Sequence, residues 1–172
     1  MGGARKWADL RSAASLPEIA ALADGADHVD VKTVQSGKEL GRFAADLLSY
    51  RPGWVRVLYR LRGLLAGLLG LRQESGVRGE RLSEVSFLPG AKASFFTVTA
   101  AEKGRYWIAA ASDRHLTAHL AIFAGTGEAG ESLRHVATIV RYRHWIGPVY
   151  FKIILPFHHL IVAAMARHAA KG

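Results

Sequence analysis

The spacing of hydrophobic residues changes about halfway along the chain, from the period of helices to the period of strands. Apolar positions recur at helical spacing over residues 5–23, with charged residues between them. Residues 37–49 repeat this pattern after Ser36, which together with Glu39 forms a capping-box motif. A leucine-rich amphipathic pattern follows over residues 54–71. We therefore predict three helices in the first part of the chain.

A period of two residues marks the predicted strands. They span residues 28–35, 85–88, 93–100, 105–112, 116–123 and 133–145. Most of the later strands are joined by short glycine-containing breaks, which favours antiparallel neighbours. In the first strand, His28, Asp30 and Lys32 alternate with Val29 and Val31, so we expect that strand to be half-buried.

Alternation also assigns two faces to the later strands. The positions assigned to the inward face are Leu116, Ala118, Leu120, Ile122, Val136, Thr138, Val140, Tyr142 and His144. The positions assigned to the opposite, wetter face are Asp113, His115, Thr117, His119, His135, Arg141 and Arg143. An Asp113–His115 pair on that outer face is interpreted as a surface pair.

The last predicted element is a long apolar helix over residues 148–170, which contains Pro156. The proline should kink the helix or break its first turn. Helical spacing turns His158 toward the sheet and His159 away from it. Helices, a meander of strands and a final helix together predict an α+β fold.

Composition and charge narrow the function further. The 172 residues suit one domain, and the absence of cysteine excludes disulfides and thiolate chemistry. The net charge of +9 is spread without a block of like charges or a nucleic-acid motif, so we expect no nucleic-acid partner. The longest apolar stretch, residues 146–166, includes Lys152 and two histidines, so we predict a cytoplasmic protein without a transmembrane segment.

Several segments of the chain carry a family resemblance. They are Arg51-Pro52-Gly53-Trp54 with residues 61–71, Ser112-Asp113-Arg114-His115-Leu116, Tyr142-Arg143-His144-Trp145-Ile146-Gly147, Tyr150-Phe151 and Pro156-Phe157-His158-His159-Leu160-Ile161-Val162. With them the chain resembles a bacterial family, the domain-of-unknown-function family 2867. The resemblance implies a helix-grip fold of the START and birch-pollen-allergen type, in which a curved antiparallel β-sheet wraps around a long C-terminal helix and an apolar cavity. Some relatives carry a short-chain dehydrogenase module, which makes such a dehydrogenase a candidate partner.

The domain organisation expected from this resemblance is simple. One helix-grip domain covers residues 1–172, with residues 1–23 as an N-terminal helical extension. Because the family has no assigned function, the resemblance implies a fold and not a reaction.

Two motifs that could bind a cofactor or a metal do not have the required context. Residues 125–130 match G-x-G-x-x-G but lead into a strand, whereas a dinucleotide site needs a helix there. His115 and His119 are four residues apart on a strand, about 13 Å at roughly 3.3 Å per residue, which one ion cannot bridge. We therefore predict no cofactor and no metal.

The candidate binding residues are the polar side chains expected inside the fold. They are Arg114, Tyr142, His144, Tyr150 and His158. An apolar pocket with a few convergent polar groups is typical of a small-molecule site, so we expect a hydrophobic molecule or a lipid as ligand. The same histidines can equally be hydrogen-bonded core residues. An enzyme that uses His144 or His158 for acid–base chemistry, and a membrane-surface protein acting through residues 54–71, are the alternatives.

Overall fold

The computed structural model describes residues 16–54, 82–112 and 115–171 and has an α+β architecture. The elements run in the order α1 (Pro17–Ala23), β1 (His28–Gln35), α2 (Leu40–Ser49), β2 (Lys92–Ala93), β3 (Phe96–Glu102), β4 (Tyr106–Ser112), β5 (Leu116–Thr126), β6 (Ser132–Tyr142) and α3 (Gly147–Lys171). The predicted α+β fold with a long C-terminal helix is confirmed.

The six strands form one open antiparallel sheet in the order β1-β6-β5-β4-β3-β2. A tight turn joins β3 to β4, and Gly104 has the positive φ of +79° that this turn requires. The first strand, β1, pairs with the last strand, β6: His28 lies opposite Val140 and Gln35 opposite Leu133. This register leaves β1 at one edge of the sheet, next to the long β5–β6 hairpin.

The helices α2 and α3 cover one face of the sheet and form the main core with it. The alternation of β4, β5 and β6 supplies large apolar side chains to this face, while α2 presents its apolar stripe. The main core includes Leu40, Phe43, Leu47, Leu48, Trp107, Leu120, Ile122, Val136 and Val162. The inward assignment of Leu120, Ile122 and Val136 is therefore confirmed.

The opposite face of the sheet is less exposed to solvent than the alternation predicts. The helix α1 places Leu16 and Ile19 against this face, where they pack with Phe123 and Ile139 in a second buried cluster. His135, assigned to the outer face, is only 3% exposed there. A short amphipathic helix thus gives the sheet two covered faces where one was expected.

His115 also differs from its outward assignment, because it is buried. It immediately precedes β5, and its carbonyl oxygen accepts a hydrogen bond of 2.7 Å from the backbone N–H of Arg143. The alternation of the strand does not extend to this residue, which lies under the turn that leads into α3. Asp113 lies outside the described residues, so its predicted pairing with His115 stays a prediction.

The N-terminal boundary of α2 also differs from the prediction. The helix α2 begins at Leu40 and not at residue 37, and no side chain caps its N-terminus. The hydroxyl of Ser36 instead accepts a hydrogen bond from the backbone N–H of Lys38 at 3.4 Å. The helix predicted over residues 54–71 lies outside the described residues from position 55 onward, as do residues 1–15 of the first predicted helix.

The strand predicted over residues 85–88 is absent from the described chain. Val85 is buried, and the carbonyl of Ser86 accepts a hydrogen bond of 3.0 Å from the indole of Trp107, so this segment packs without joining the sheet. The strand predicted over residues 93–100 is divided into β2 and β3 by a turn at Ser94, whose φ is +59°. Apolar alternation alone does not reveal either feature.

Candidate functional site

Five polar side chains come together where α3 lies beside the edge strand β1, and we call them the polar cluster. They are His28, Asp30 and Lys32 from β1 and His158 and His159 from α3. The two-residue repeat of β1 places its three members on the face of the sheet that α3 covers, since they pair with residues whose side chains belong to that face. The polar side of this edge strand therefore meets the two adjacent histidines of α3.

The carboxylate of Asp30 is the centre of the polar cluster and is only 6% exposed. The ammonium group of Lys32 lies 2.9 Å from one carboxylate oxygen and 2.8 Å from the other. The Nδ1 atom of His159 lies 3.2 Å from the second oxygen. Burying a carboxylate is costly unless it is paired. The contacts with Lys32 and His159 therefore stabilise Asp30 in its buried position.

The Nδ1 atom of His159 has two neighbours that demand opposite roles from it. It lies 3.2 Å from a carboxylate oxygen of Asp30 and 3.3 Å from Nζ of Lys32. A protonated Nδ1 donates to the carboxylate, whereas an unprotonated Nδ1 accepts from the ammonium group. The position of one proton on His159 therefore decides which partner it binds.

His158 brings a buried ring nitrogen to the polar cluster. Its Nε2 has no contact with solvent and no hydrogen-bond partner among the described residues. Burial lowers the pKa of His158 from its ordinary value of 6.5 to about 4, and the negative charge of Asp30 acts in the opposite direction. At neutral pH the imidazole is therefore uncharged.

An apolar patch borders the polar cluster and is built around Phe151, which is 4% exposed. The ring centroid of Phe151 lies 5.0 Å from that of His28 and 5.9 Å from those of His158 and Tyr142. Leu116, Val140 and Tyr150 complete the buried part of this patch. Polar and apolar side chains thus adjoin each other at the junction of helix and sheet.

Comparison with protein families places this region inside a known domain. A family model described as "Protein of unknown function (DUF2867)" matches residues 22–165. The chain belongs to the DUF2867 family. The match includes the whole of β1 and α3 as far as residue 165, and therefore every member of the polar cluster. None of the curated proteins compared with the chain matches it.

Three of the five predicted binding residues of this DUF2867 chain lie around Phe151. Tyr142 is half-buried, and burial followed by the negative charge of Asp27 raises the pKa of its phenol. Tyr150 is almost completely buried, and His158 stands beside Phe151 as described above. These three are the predicted residues that the structure brings together.

The other two predicted residues do not join this group. His144 is exposed in the turn after β6, and its Nδ1 accepts a hydrogen bond of 3.5 Å from the backbone N–H of Ile146. The strand ends at Tyr142, two residues before His144, so the alternation that assigned His144 inward no longer applies. Arg114 lies outside the described residues.

Sequence reasoning missed four members of the polar cluster: His28, Asp30, Lys32 and His159. The first three form the polar side of an alternating strand, which is ordinarily the side that faces water. His159 was expected to lean away from the sheet, yet its ring reaches Asp30 because α3 lies over the edge strand. The available signal was the adjacent pair of histidines on a helix that has no acidic residue.

Two other features of the DUF2867 chain bear on its chemistry. Among residues 16–54, 82–112 and 115–171, no group of three or more metal-binding side chains could hold an ion. An open cleft of about 370 Å³ lies near the C-terminal end of α3 and contains no member of the polar cluster. Its lining consists of Arg42, Asp46, Ser49, Leu82, Ser83 and His168.

Proposed function

We propose that the protein binds a small molecule with an apolar body and one uncharged polar group, a hydroxyl or a carbonyl. The polar group hydrogen-bonds to Nε2 of His158, and the apolar body lies against the patch around Phe151. The observation that carries this proposal is the buried Nε2 atom of His158, which has no partner among the described residues. A long helix on one face of an open sheet supports the expectation of a helix-grip container.

The unused nitrogen favours a ligand because a buried polar atom without a hydrogen bond is costly. Leaving such an atom unsatisfied costs about 1–3 kcal/mol, and most buried polar atoms in folded proteins have a partner. The lowered pKa keeps His158 uncharged at neutral pH. A neutral imidazole can donate or accept through Nε2 according to its tautomer, so it suits a hydroxyl or a carbonyl equally.

The surrounding charges disfavour an ionised ligand group. The carboxylate of Asp30 and the ammonium of Lys32 already neutralise each other at 2.8 Å. An anionic group would meet Asp30 in a buried setting, and a cationic group would meet Lys32. An uncharged oxygen avoids both repulsions. A short-chain dehydrogenase, the candidate partner, would act on a molecule of this kind, since such an enzyme interconverts hydroxyl and carbonyl groups by hydride transfer.

Acid–base catalysis by the polar cluster is the second candidate function, and the contact between His159 and Asp30 favours it. A carboxylate that orients an imidazole at 3.2 Å is a common arrangement for proton transfer. His158 is poorly suited to the role, because a base with a pKa of about 4 is weak at neutral pH. Ligand binding therefore explains the site better than catalysis does.

Native mass spectrometry of the purified protein, followed by solvent extraction of whatever remains bound, tests the binding proposal. The wild type should carry one apolar molecule with a hydroxyl or carbonyl group. The variant His158→Phe should lose it, because phenylalanine keeps the ring but removes Nε2. His168→Phe on the same helix is the matched control and should retain it.

The same variant separates a binding site from a merely structural histidine. Because His158→Phe removes an unsatisfied buried nitrogen, we expect it to fold with undiminished stability while it loses the ligand. Retention of the ligand by His158→Phe would show that the site lies elsewhere. A proton-transfer reaction that depends on His159 and Asp30 would instead favour the second candidate.

A further inference from the structure

The outer side of α3 carries a row of exposed apolar side chains. We call this row, together with the tryptophan that precedes the helix, the outer stripe. Val149, Ile153, Phe157 and Leu160 are between 43% and 52% exposed, and Trp145 is 75% exposed. Their spacing of four, four and three residues along the helix aligns Val149 to Leu160 on one side. The helical part of the outer stripe, from Val149 to Leu160, extends for roughly 17 Å at about 1.5 Å per residue.

Positive charges border the outer stripe at both ends and along one flank. Continuing the same spacing beyond Leu160 leads to Arg167 and Lys171, both exposed near the end of α3. Arg143 precedes Trp145 and is exposed, and Lys152 lies beside the stripe. The sequence of α3 contains no acidic residue to neutralise them. An apolar row with cations of its own helix beside it is complementary to a surface that is apolar inside and negatively charged outside.

The helix α3 is also unusually apolar for a helix on a protein surface. By length and composition it is the one described helix that could cross a membrane. Its most apolar stretch of 18 residues has a mean hydropathy of 1.6, and 22% of that stretch is buried. Its other side, however, packs on the sheet through Tyr150, Phe151, Val162 and Ala166. Those contacts hold α3 on the domain, so it can lie along a membrane surface without leaving the fold.

We propose that the outer stripe docks the protein on an anionic lipid membrane, with α3 parallel to the membrane surface. The apolar side chains enter the boundary between headgroups and acyl chains, where tryptophan is favoured. Arg143, Lys152, Arg167 and Lys171 contact the anionic headgroups. This site is distinct from the helix predicted over residues 54–71, which lies outside the described residues and has no part in the proposal.

A second copy of the chain fits the outer stripe less well than a lipid surface does. Five partly exposed side chains present on the order of 400 Å², whereas a stable interface buries about 800 Å² on each partner. Two copies of α3 packed antiparallel would also bring Arg143 of one copy near Arg167 and Lys171 of the other. No acidic residue of the helix offsets that repulsion.

Vesicle co-sedimentation with the full chain tests this proposal. The probes are vesicles of phosphatidylcholine mixed with phosphatidylserine, compared with vesicles of phosphatidylcholine alone. We expect the wild type to bind the mixed vesicles at least tenfold more strongly. The double variant Phe157→Ser/Leu160→Ser should lose at least tenfold in binding to the mixed vesicles, since it removes two anchoring side chains. Leu88→Ser, which changes a leucine away from α3 that is even more exposed than Leu160, should bind like the wild type.

A charge variant keeps the test decisive if the apolar variant folds poorly. Arg167→Gln/Lys171→Gln alters only exposed groups and should weaken binding to the mixed vesicles by roughly tenfold or more. Equal binding of this variant and the wild type would overturn the proposal. So would a stripe variant that binds vesicles normally but converts a wild-type dimer to a monomer, because a second copy would then cover the stripe. A stripe variant that is monomeric, has a lower melting temperature and binds vesicles normally would show that the stripe serves packing within the chain. That result would also overturn the proposal.

Discussion

Acid should destabilise this protein through His158 more than through the histidine on the exposed end of the same helix. Burial keeps the imidazole of His158 uncharged in the fold, with a pKa of about 4 compared with its ordinary 6.5. As the pH falls below 6.5, the unfolded chain binds a proton at this position while the folded chain does not. Stability is therefore fully present above pH 6.5 and is lost as the pH falls toward 4.

The size of the effect follows from the shift in the pKa. One pKa unit corresponds to about 1.4 kcal/mol, so the full change amounts to about 3 kcal/mol once the pH is below 4. About 2 kcal/mol of that loss should already be present near pH 5. The unfolding free energy of a domain is only about 5–15 kcal/mol, so a loss of this size is readily measured.

Urea denaturation at about pH 8 and about pH 5 measures this change in the free energy of unfolding. The wild type and His168→Gln, a control at an exposed histidine, should both become less stable in acid. His158→Gln cannot be protonated, so its acid-induced loss should be smaller by about 2 kcal/mol. Parallel losses in the wild type and His158→Gln would refute the burial of His158 as the cause.

Further predictions concern packing and charge. Gly147→Ala should destabilise the fold by about 1–3 kcal/mol in the same urea assay, because a Cβ there would lie 2.9 Å from the carbonyl oxygen of His115. The control Gly37→Ala should be neutral or stabilising, because nothing lies within 4 Å of a Cβ at that position. Asp30→Asn should lower the unfolding free energy by about 1–3 kcal/mol, because it leaves the ammonium of Lys32 without its buried partner. The corresponding change at the exposed pair with Arg105, Glu102→Gln, should leave thermal stability nearly unchanged.

Much of the fold could be predicted because local patterns and global packing agree in β4, β5 and β6. Val136 and Ile122 occupy alternating positions in strands whose apolar side meets the helices, and the register confirms them as neighbours. The errors fall where a local pattern stops. His144 lies two residues beyond the end of β6, and Ser94 turns the chain within a stretch that reads as one strand.

The candidate site was harder to predict because it depends on a contact between distant parts of the chain. His158 could be assigned to the sheet side of its helix from the spacing alone. Asp30 and Lys32 could not be placed beside it, because the edge position of β1 depends on pairing with β6, about a hundred residues later. Without that register, the polar side of β1 is most simply interpreted as a solvent-facing side.

The most direct test of the proposed function is a ¹⁵N NMR titration of the histidine ring nitrogens with a long-chain alcohol, at a pH where His158 is neutral. The account predicts a saturable change at Nε2 of His158, with little change at the exposed His168. An alcohol that binds without altering Nε2 of His158, or that does not bind at all, would contradict the account.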